Sequence, residues 1–208
     1  MASKTLEETS YLTVQQQVLK RIFDTLLSLL LLPMITFPVL ILIISATVDT
    51  RLFGLFFQSR VGQQGKVFTI FKIRTFNEKH EISKFSDKIR KYKLDELPQI
   101  VNILLGQMSF VGPRPDLPEV MDKVNGSDGI ILSVKPGLTG PATLYYFNEE
   151  AILENQEDPI TYNSQVMQPK KNRINKNYIK NYHIFKDIKY ICKTIFYVLQ
   201  NMAFKAPS

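Results

Sequence analysis

Residues 25–48 read TLLSLLLLPMITFPVLILIISATV, with no charged side chain in the whole stretch. At about 1.5 Å per residue, a continuous helix of this length reaches roughly 36 Å and can cross the hydrocarbon core of a bilayer. The run is too long for a signal peptide, nineteen residues precede Lys20, and no small-residue cleavage site follows it. Pro33 and Pro38 interrupt it. Each removes an amide donor and crowds the preceding turn, so a kink is expected. Hydropathy alone favours a kinked spanning helix. A re-entrant hairpin that enters and leaves by one face is the alternative, and a buried soluble hairpin is a third. The flanks suit the re-entrant form, because Lys20 and Arg21 precede the run and Arg51 follows it.

The rest of the chain is of a different character. It has 208 residues, 26 basic and 19 acidic, for a net charge of +7. Residues 1–48 hold three charges of each sign, so the whole excess lies in residues 49–208. A basic body beside an apolar segment suits phosphates, nucleic acid or an anionic membrane surface. Apolar residues make up 45%, which excludes a mainly disordered chain. The single long apolar segment excludes a polytopic membrane protein. One cysteine, Cys192, excludes an intrachain disulfide. The length suits one domain.

Within the body, Gln64-Gly65 marks a turn and Lys66–Arg74 alternates as a strand. That places Phe68, Ile70, Lys72 and Arg74 on one face, where the two cations are solvated or aimed at an anion. Residues 94–106, LDELPQIVNILLG, read as a helix of about ten residues with Asp95 as N-cap and Gly106 as stop. SFVGPRPDLP, residues 109–118, is a stiff loop presenting Arg114. KPGLTGPA, residues 135–142, is a second loop. Residues 148–172 read as a surface excursion. Residues 178–203 read as one amphipathic helix that packs on the body or lies at a membrane surface.

Adjacent carboxylates at a helix start usually serve capping and the helix dipole. Here Arg90 precedes Asp95 and Glu96, Arg114 follows them on a rigid loop, and Lys72 and Arg74 end a strand. A helix N-terminus, two carboxylates and several cations are the parts of a phosphate site with a metal. No zinc spacing, P-loop, dinucleotide fingerprint or nucleophile elbow is present. Charge alone speaks for nucleic acid, and no binding motif supports it.

These segments together resemble the bacterial sugar transferases, the monotopic phosphoglycosyl transferases. The likeness covers about residues 18–196. It rests on Lys20-Arg21-Ile22-Phe23-Asp24, Pro38, Gln58, Arg60, Gly62, Gly65-Lys66 and Phe71-Lys72-Ile73-Arg74-Thr75. It continues through Arg90, Leu94-Asp95-Glu96-Leu97-Pro98-Gln99 and Asn102. Met108-Ser109-Phe110-Val111-Gly112-Pro113-Arg114-Pro115 and Lys135-Pro136-Gly137-Leu138-Thr139-Gly140 follow, with Tyr178, Asn181, Asp187 and Thr194 spaced as in the family. The spaced pair D-E-L-P-Q and G-P-R-P is the specific signal.

The resemblance implies a mostly helical α+β monotopic membrane protein. It would carry a lead-in at 1–19, a proline-broken re-entrant helix at 20–50 and a catalytic domain at 51–208, with a small β-hairpin and interfacial amphipathic helices such as 178–203. The implied reaction moves a sugar 1-phosphate from a UDP-sugar to a polyprenol phosphate at the cytoplasmic face of the bacterial inner membrane. The lipid is undecaprenyl phosphate in family practice, and downstream glycosyltransferases would follow. Asp95 would be the nucleophile, kept ionised by nearby cations. Glu96 would hold Mg²⁺. Arg114 and Arg90 would clamp phosphate, with Lys72 and Arg74 behind them and Asp187 and Gln99 in support. Lys20, Arg21, Asp24 and Pro38 would set the membrane hairpin.

Three positions depart from the family pattern. Gln107 stands where Asp is common. Residues 141–147, PATLYYF, replace a W-A-Q-V-N-G-R stretch, so donor recognition is expected to differ there. Phe37 replaces a serine before the membrane proline, leaving Thr36 to offer its hydroxyl to a freed carbonyl.

Overall fold

A computed structural model describes residues 11–118 and 126–203; the first ten residues of the lead-in and residues 204–208 lie outside it. Helix α1 spans Val14–Thr50. It starts at a capping box, in which Thr13 accepts from the Gln16 amide and the Gln16 side chain accepts from the Thr13 amide. The membrane helix therefore begins six residues earlier than its expected start at residue 20. It also stays helical through Pro33 and Pro38 and ends at neither. The Thr36 hydroxyl donates to the Leu32 carbonyl at 2.7 Å, four residues back, and not to the carbonyl that Pro38 frees. Such back-bonding bends a helix without ending it. Among the described residues α1 is the one helix long and apolar enough to cross a membrane.

Only one stripe of α1 is covered. Lys20, Asp24, Ser28, Ala46 and Thr50 are buried, and Leu27, Leu31, Leu32 and Ile35 pack against the core. Leu26, Leu30, Met34, Phe37, Ile41, Ile44 and Val48 face outward. The charged flank Lys20-Arg21-Asp24 is turned into the body. The Lys20 ammonium reaches Asp187 at 2.5 Å. The Arg21 guanidinium donates to the Ile103 and Leu104 carbonyls, both at 2.7 Å. Asp24 accepts from the Ser109 hydroxyl and the Phe110 amide, both at 3.1 Å. At the other end, Asp49 accepts from Ser83 and Ser86, both at 2.7 Å.

After α1 comes an antiparallel hairpin, β1 Leu55–Val61 and β2 Val67–Ile73, with Leu55 opposite Ile73 and Val61 opposite Val67. Helix α2, Lys84–Lys91, precedes the D-E-L-P-Q segment. That segment is a 3-10 helix, Leu94–Gln99, running into a short α3, Ile100–Leu104, rather than one α-helix. Lys93, not Asp95, occupies the cap position, with φ 56°.

Strands β3, Ser109–Val111, and β4, Gly137–Thr139, pair in parallel and join the two proline–glycine loops. Three glycines interlock here. A Cβ on Gly137 would lie 2.1 Å from the Gly112 nitrogen, and one on Gly140 would lie 2.2 Å from the Gly112 carbonyl oxygen. The backbones approach too closely for any side chain. Their hydrogen bonds, Gly112 N to Thr139 O at 2.9 Å and Gly137 N to Pro113 O at 2.7 Å, fix the loop that carries Arg114.

Four helices follow β4: α4 Pro141–Tyr145, α5 Glu149–Glu154, α6 Pro159–Tyr162 and, after a π-turn at Asn163–Met167, α7 Gln168–Lys180. Helix α8, Ile184–Ala203, follows. The single C-terminal helix expected over 178–203 is thus two, parted at Asn181–His183. Tyr178 and Tyr182 enter the core and Ile191 packs against it, while Phe185, Ile188, Ile195, Phe196 and Leu199 stay exposed, so most of the α8 stripe is not covered by the body. The core gathers Ile70, Ile100, Ile103, Met108, Phe110, Val111 and Ile179.

Replacing Gly137 by Ala should force β3 and β4 apart and lower the melting temperature sharply. Gly129→Ala meets nothing within 4 Å and should leave it unchanged. Thermal melts of the detergent-solubilised variants check this; equal melting temperatures would refute the interlock.

Candidate active site

The hairpin, the 3-10 helix and the G-P-R-P loop converge on two buried carboxylates. Asp95 is 8% and Glu96 7% exposed. The left-handed turn at Lys93 places them side by side at the start of the 3-10 helix, where the Glu96 amide donates to the Lys93 carbonyl at 3.3 Å. Strained backbone of this kind gathers at functional sites. Lys72, near the end of β2, comes within 3.3 Å of Glu96 Oε1. Arg114 reaches the same oxygen at 2.8 Å. Asp95 Oδ1 is buried and has no hydrogen-bond partner.

The two carboxylates therefore differ in how readily they ionise. Burial alone would raise Glu96, but the Arg114, Lys72 and Lys93 cations outweigh it and hold its carboxyl at about 2. Burial, reinforced by the negative Glu96, pushes Asp95 up to about 6. The same cations also pull Asp95 down, toward the ionised form, but by less than burial and Glu96 raise it. Burial pulls the Lys72 ammonium down against the opposing pull of Glu96. Glu96 pushes the Arg114 guanidinium up. Two neighbouring carboxylates driven apart in this way can take separate roles.

The remaining expected residues divide. Arg90 lies in the last turn of α2, and its carbonyl accepts from the Lys93 amide at 3.0 Å. Gln99 is buried at the end of the 3-10 helix. Arg74 is not brought to the carboxylates. Its Nε donates to the Phe53 carbonyl at 2.8 Å and its guanidinium lies over the Phe56 and Phe76 rings. Asp187 is not at the site either; it accepts from Lys20, Tyr178 and Tyr182 in the core. Gln107 accepts from the Asn102 side chain at 2.7 Å, and Asn102 also bonds the backbone of β2 at Thr69 and Phe71. An aspartate there could accept the same bond, so the departure removes no acceptor.

The segment read as a surface excursion contributes to the site. Glu149 pairs with Lys171 at 2.6 Å, and Glu149 acts on the Arg114 charge. In the altered 141–147 stretch the two tyrosines diverge. Tyr146 is buried under Lys171, whereas Tyr145 lies under Lys170 in a groove of about 1090 Å³ with Arg173 and Tyr197. The sequence carried no signal for this, because it depends on how α7 folds back.

Residues 15–201 match the family model described as bacterial sugar transferase. An uncharacterized sugar transferase of Bacillus subtilis, EpsL, is 31% identical over 195 residues, which cover 88% of each chain. The UDP-glucose:undecaprenyl-phosphate glucose-1-phosphate transferase of Klebsiella pneumoniae is 34% identical over 198 residues, covering 86% of this chain and 40% of its own length. The protein of the same name from Escherichia coli is 30% identical over 205 residues, covering 90% and 41%. The chain thus spans about two fifths of the length of those two relatives.

Because folding raises Asp95 from 3.8 to about 6, its ionised form costs stability. The protonated form's contribution is complete below about pH 4 and is lost as the pH rises through 6. A shift of about two units corresponds to on the order of 3 kcal/mol. Asp95→Asn should therefore melt several degrees above the parent at pH 8 and level with it at pH 4; no gain at pH 8 would refute the assignment.

Proposed function

The chain belongs to the bacterial sugar transferase family, and from that membership we propose that it moves a sugar 1-phosphate from a UDP-sugar to a polyprenol phosphate, taken as undecaprenyl phosphate, and releases UMP. The observation that carries this reading is the unequal dyad: Glu96 holds two cations, and its neighbour Asp95 is left with an unpartnered oxygen.

In the proposed first step, ionised Asp95 attacks the sugar-bearing phosphorus of the donor. The phosphorus–oxygen bond to UMP breaks, UMP leaves, and a mixed anhydride holds the phospho-sugar on Asp95. In the second step, an oxygen of the polyprenol phosphate attacks the same phosphorus. The anhydride opens, Asp95 is regenerated, and polyprenol-diphosphate-sugar departs. Splitting the reaction spares the site from holding two anionic substrates together. Arg114 and Lys72, both held beside Asp95 on Glu96, would meet the diphosphate as it reaches Asp95.

The donor set suits Mg²⁺. Among the described residues no three metal-ligating side chains come together, so an all-protein cage is absent. Mg²⁺ is ordinarily held by one or two carboxylates and substrate phosphates. Glu96, whose two cations both approach Oε1, and the unpartnered Asp95 Oδ1 could supply those carboxylates. When bound, the ion would neutralise charge on the diphosphate and the leaving UMP.

The membrane arrangement we infer is re-entrant, with the body on the cytoplasmic face. A straight helix as long as α1 would measure roughly 55 Å. Yet Lys20, Arg21 and Asp24 at one end and Asp49 at the other engage the same folded body. A spanning helix would send those ends to opposite faces. The exposed apolar stripe of α8 would rest on the same lipid surface. A product on a lipid carrier suits the first membrane step of surface polysaccharide synthesis.

Purified protein with undecaprenyl phosphate, Mg²⁺ and a panel of UDP-sugars should release UMP with at least one donor. Asp95→Asn should lower that rate at least about a thousandfold; full activity would refute the nucleophile. Below pH 6, kcat/KM for the donor should fall about tenfold per unit as Asp95 protonates. Single cysteines at Tyr11 and Arg51, in a Cys192→Ser background, should react with an impermeant maleimide from the cytoplasmic side alone. Labelling from opposite sides would refute the re-entrant arrangement.

A further inference from the structure

Among the described residues Arg60 has no ion-pair partner, although it is half-buried close to the charged site. It projects from β1, four cross-strand pairs along the ladder from Lys72. Arg60 faces Phe68 and Phe56 faces Lys72, and cross-strand partners share a face of the hairpin, so Arg60 and Lys72 point to the same side. Their Cα atoms are about 14 Å apart along the strands. The G-P-R-P loop bridges this distance. Arg114 meets Glu96 beside Lys72, while the next carbonyl, Pro115 O, accepts from Arg60 Nη1 at 3.3 Å. The Val61 amide donates to Asp116 O at 2.9 Å and holds the loop against β1.

The partners of Arg60 are all neutral. Nη2 donates to Gln58 Oε1 at 2.8 Å, and Nε is buried without any partner. Among the described residues no carboxylate lies within ion-pair distance of it. Lys72 and Arg114 are already committed to Glu96, so three cations on this face share one paired carboxylate. A partly buried guanidinium that feels the Asp116 and Glu96 carboxylates only at longer range, and stands near a second guanidinium, is costly to keep. Its fork suits a phosphate. The row from Lys72 through Arg114 to Arg60 leads away from Asp95.

We propose that Arg60 binds the phosphate of the donor that lies farther from Asp95, the one that leaves in UMP. This deepens the reaction proposed above and rests on it for the identity of the anion. In that reaction the sugar-bearing phosphate must sit against Asp95. The second phosphate then lies farther along the row, toward a guanidinium that makes no direct ion pair with a carboxylate. Burial and the Arg114 charge lower Arg60 more than the Asp116 and Glu96 carboxylates raise it, which is consistent with a place for a further anion.

The test uses UMP itself as probe, in calorimetric titrations of the full chain in detergent, beside steady-state kinetics. Arg60→Gln should weaken UMP binding at least tenfold. Arg60→Lys, which keeps the charge and a donor for Pro115 O, should weaken it several-fold. The donor KM should rise in step, and the polyprenol phosphate KM should stay as in the parent. UMP bound as tightly by both variants as by the parent overturns the proposal, as does a parent that binds no UMP. So does a fall in kcat and melting temperature with UMP affinity unchanged, which is the signature of a loop tether alone. If Arg60→Gln does not fold, Arg60→Lys decides by the same readout. A parent that binds UMP through Arg60 but turns over no UDP-sugar would count against the reaction and not against Arg60.

Discussion

A fully buried carboxylate, Asp187, joins the first and last helices of the protein to one core. It accepts from Lys20 at 2.5 Å, from Tyr178 at 2.6 Å and from Tyr182 at 3.2 Å. A buried ion pair of this kind is weak evidence of net stabilisation, but removing one partner leaves an uncompensated charge inside. The pair therefore fixes position more than it adds stability. One turn further along α1, Asp24 holds Ser109 and Phe110, the residues that open β3. From β3 the chain passes through the glycine interlock to Arg114. The apolar helix and the guanidinium at the site are thus linked by a few short, rigid steps.

At the site, the same economy of charge produces two different carboxylates from adjacent residues. Glu96 takes both nearby cations and stays ionised at any ordinary pH. Asp95, equally buried and beside a fixed negative charge, titrates near neutrality. A stably ionised group suits holding cations, and a poised one suits attack. The difference comes from which oxygen the Lys72 and Arg114 side chains reach, not from the residue types.

Much of this was legible in the sequence. The apolar run gave α1 its type, Gln64-Gly65 gave the hairpin turn, and the spaced motifs brought Lys72, Asp95, Glu96 and Arg114 together as expected. What failed depended on direction or on distant packing. Lys72 and Arg74 share a strand face by parity, yet Arg74 turns to the Phe56 and Phe76 rings, and alternation cannot show which way a strand end leans. Asp187 kept the family spacing, but spacing does not distinguish a core anchor from a site residue. The cap at Asp95 was misplaced because a left-handed Lys93 is not written in local propensity. The break at Asn181–His183 was hidden because the aromatic stripe continues across it in register. Glu149 and Lys171 reach the site through the path of α7, which no local pattern records.

The pairing of Lys20 with Asp187 spans 167 residues. During synthesis the apolar helix leaves the ribosome long before its anchor is made. At about 5–20 residues per second, the interval is roughly ten to thirty seconds. Throughout it, a lysine destined for burial must stay solvated while the apolar helix that follows it is already committed to lipid or to a chaperone. The order of assembly follows from this: the greasy segment finds its place first, and the catalytic body closes over it only when the last helices arrive.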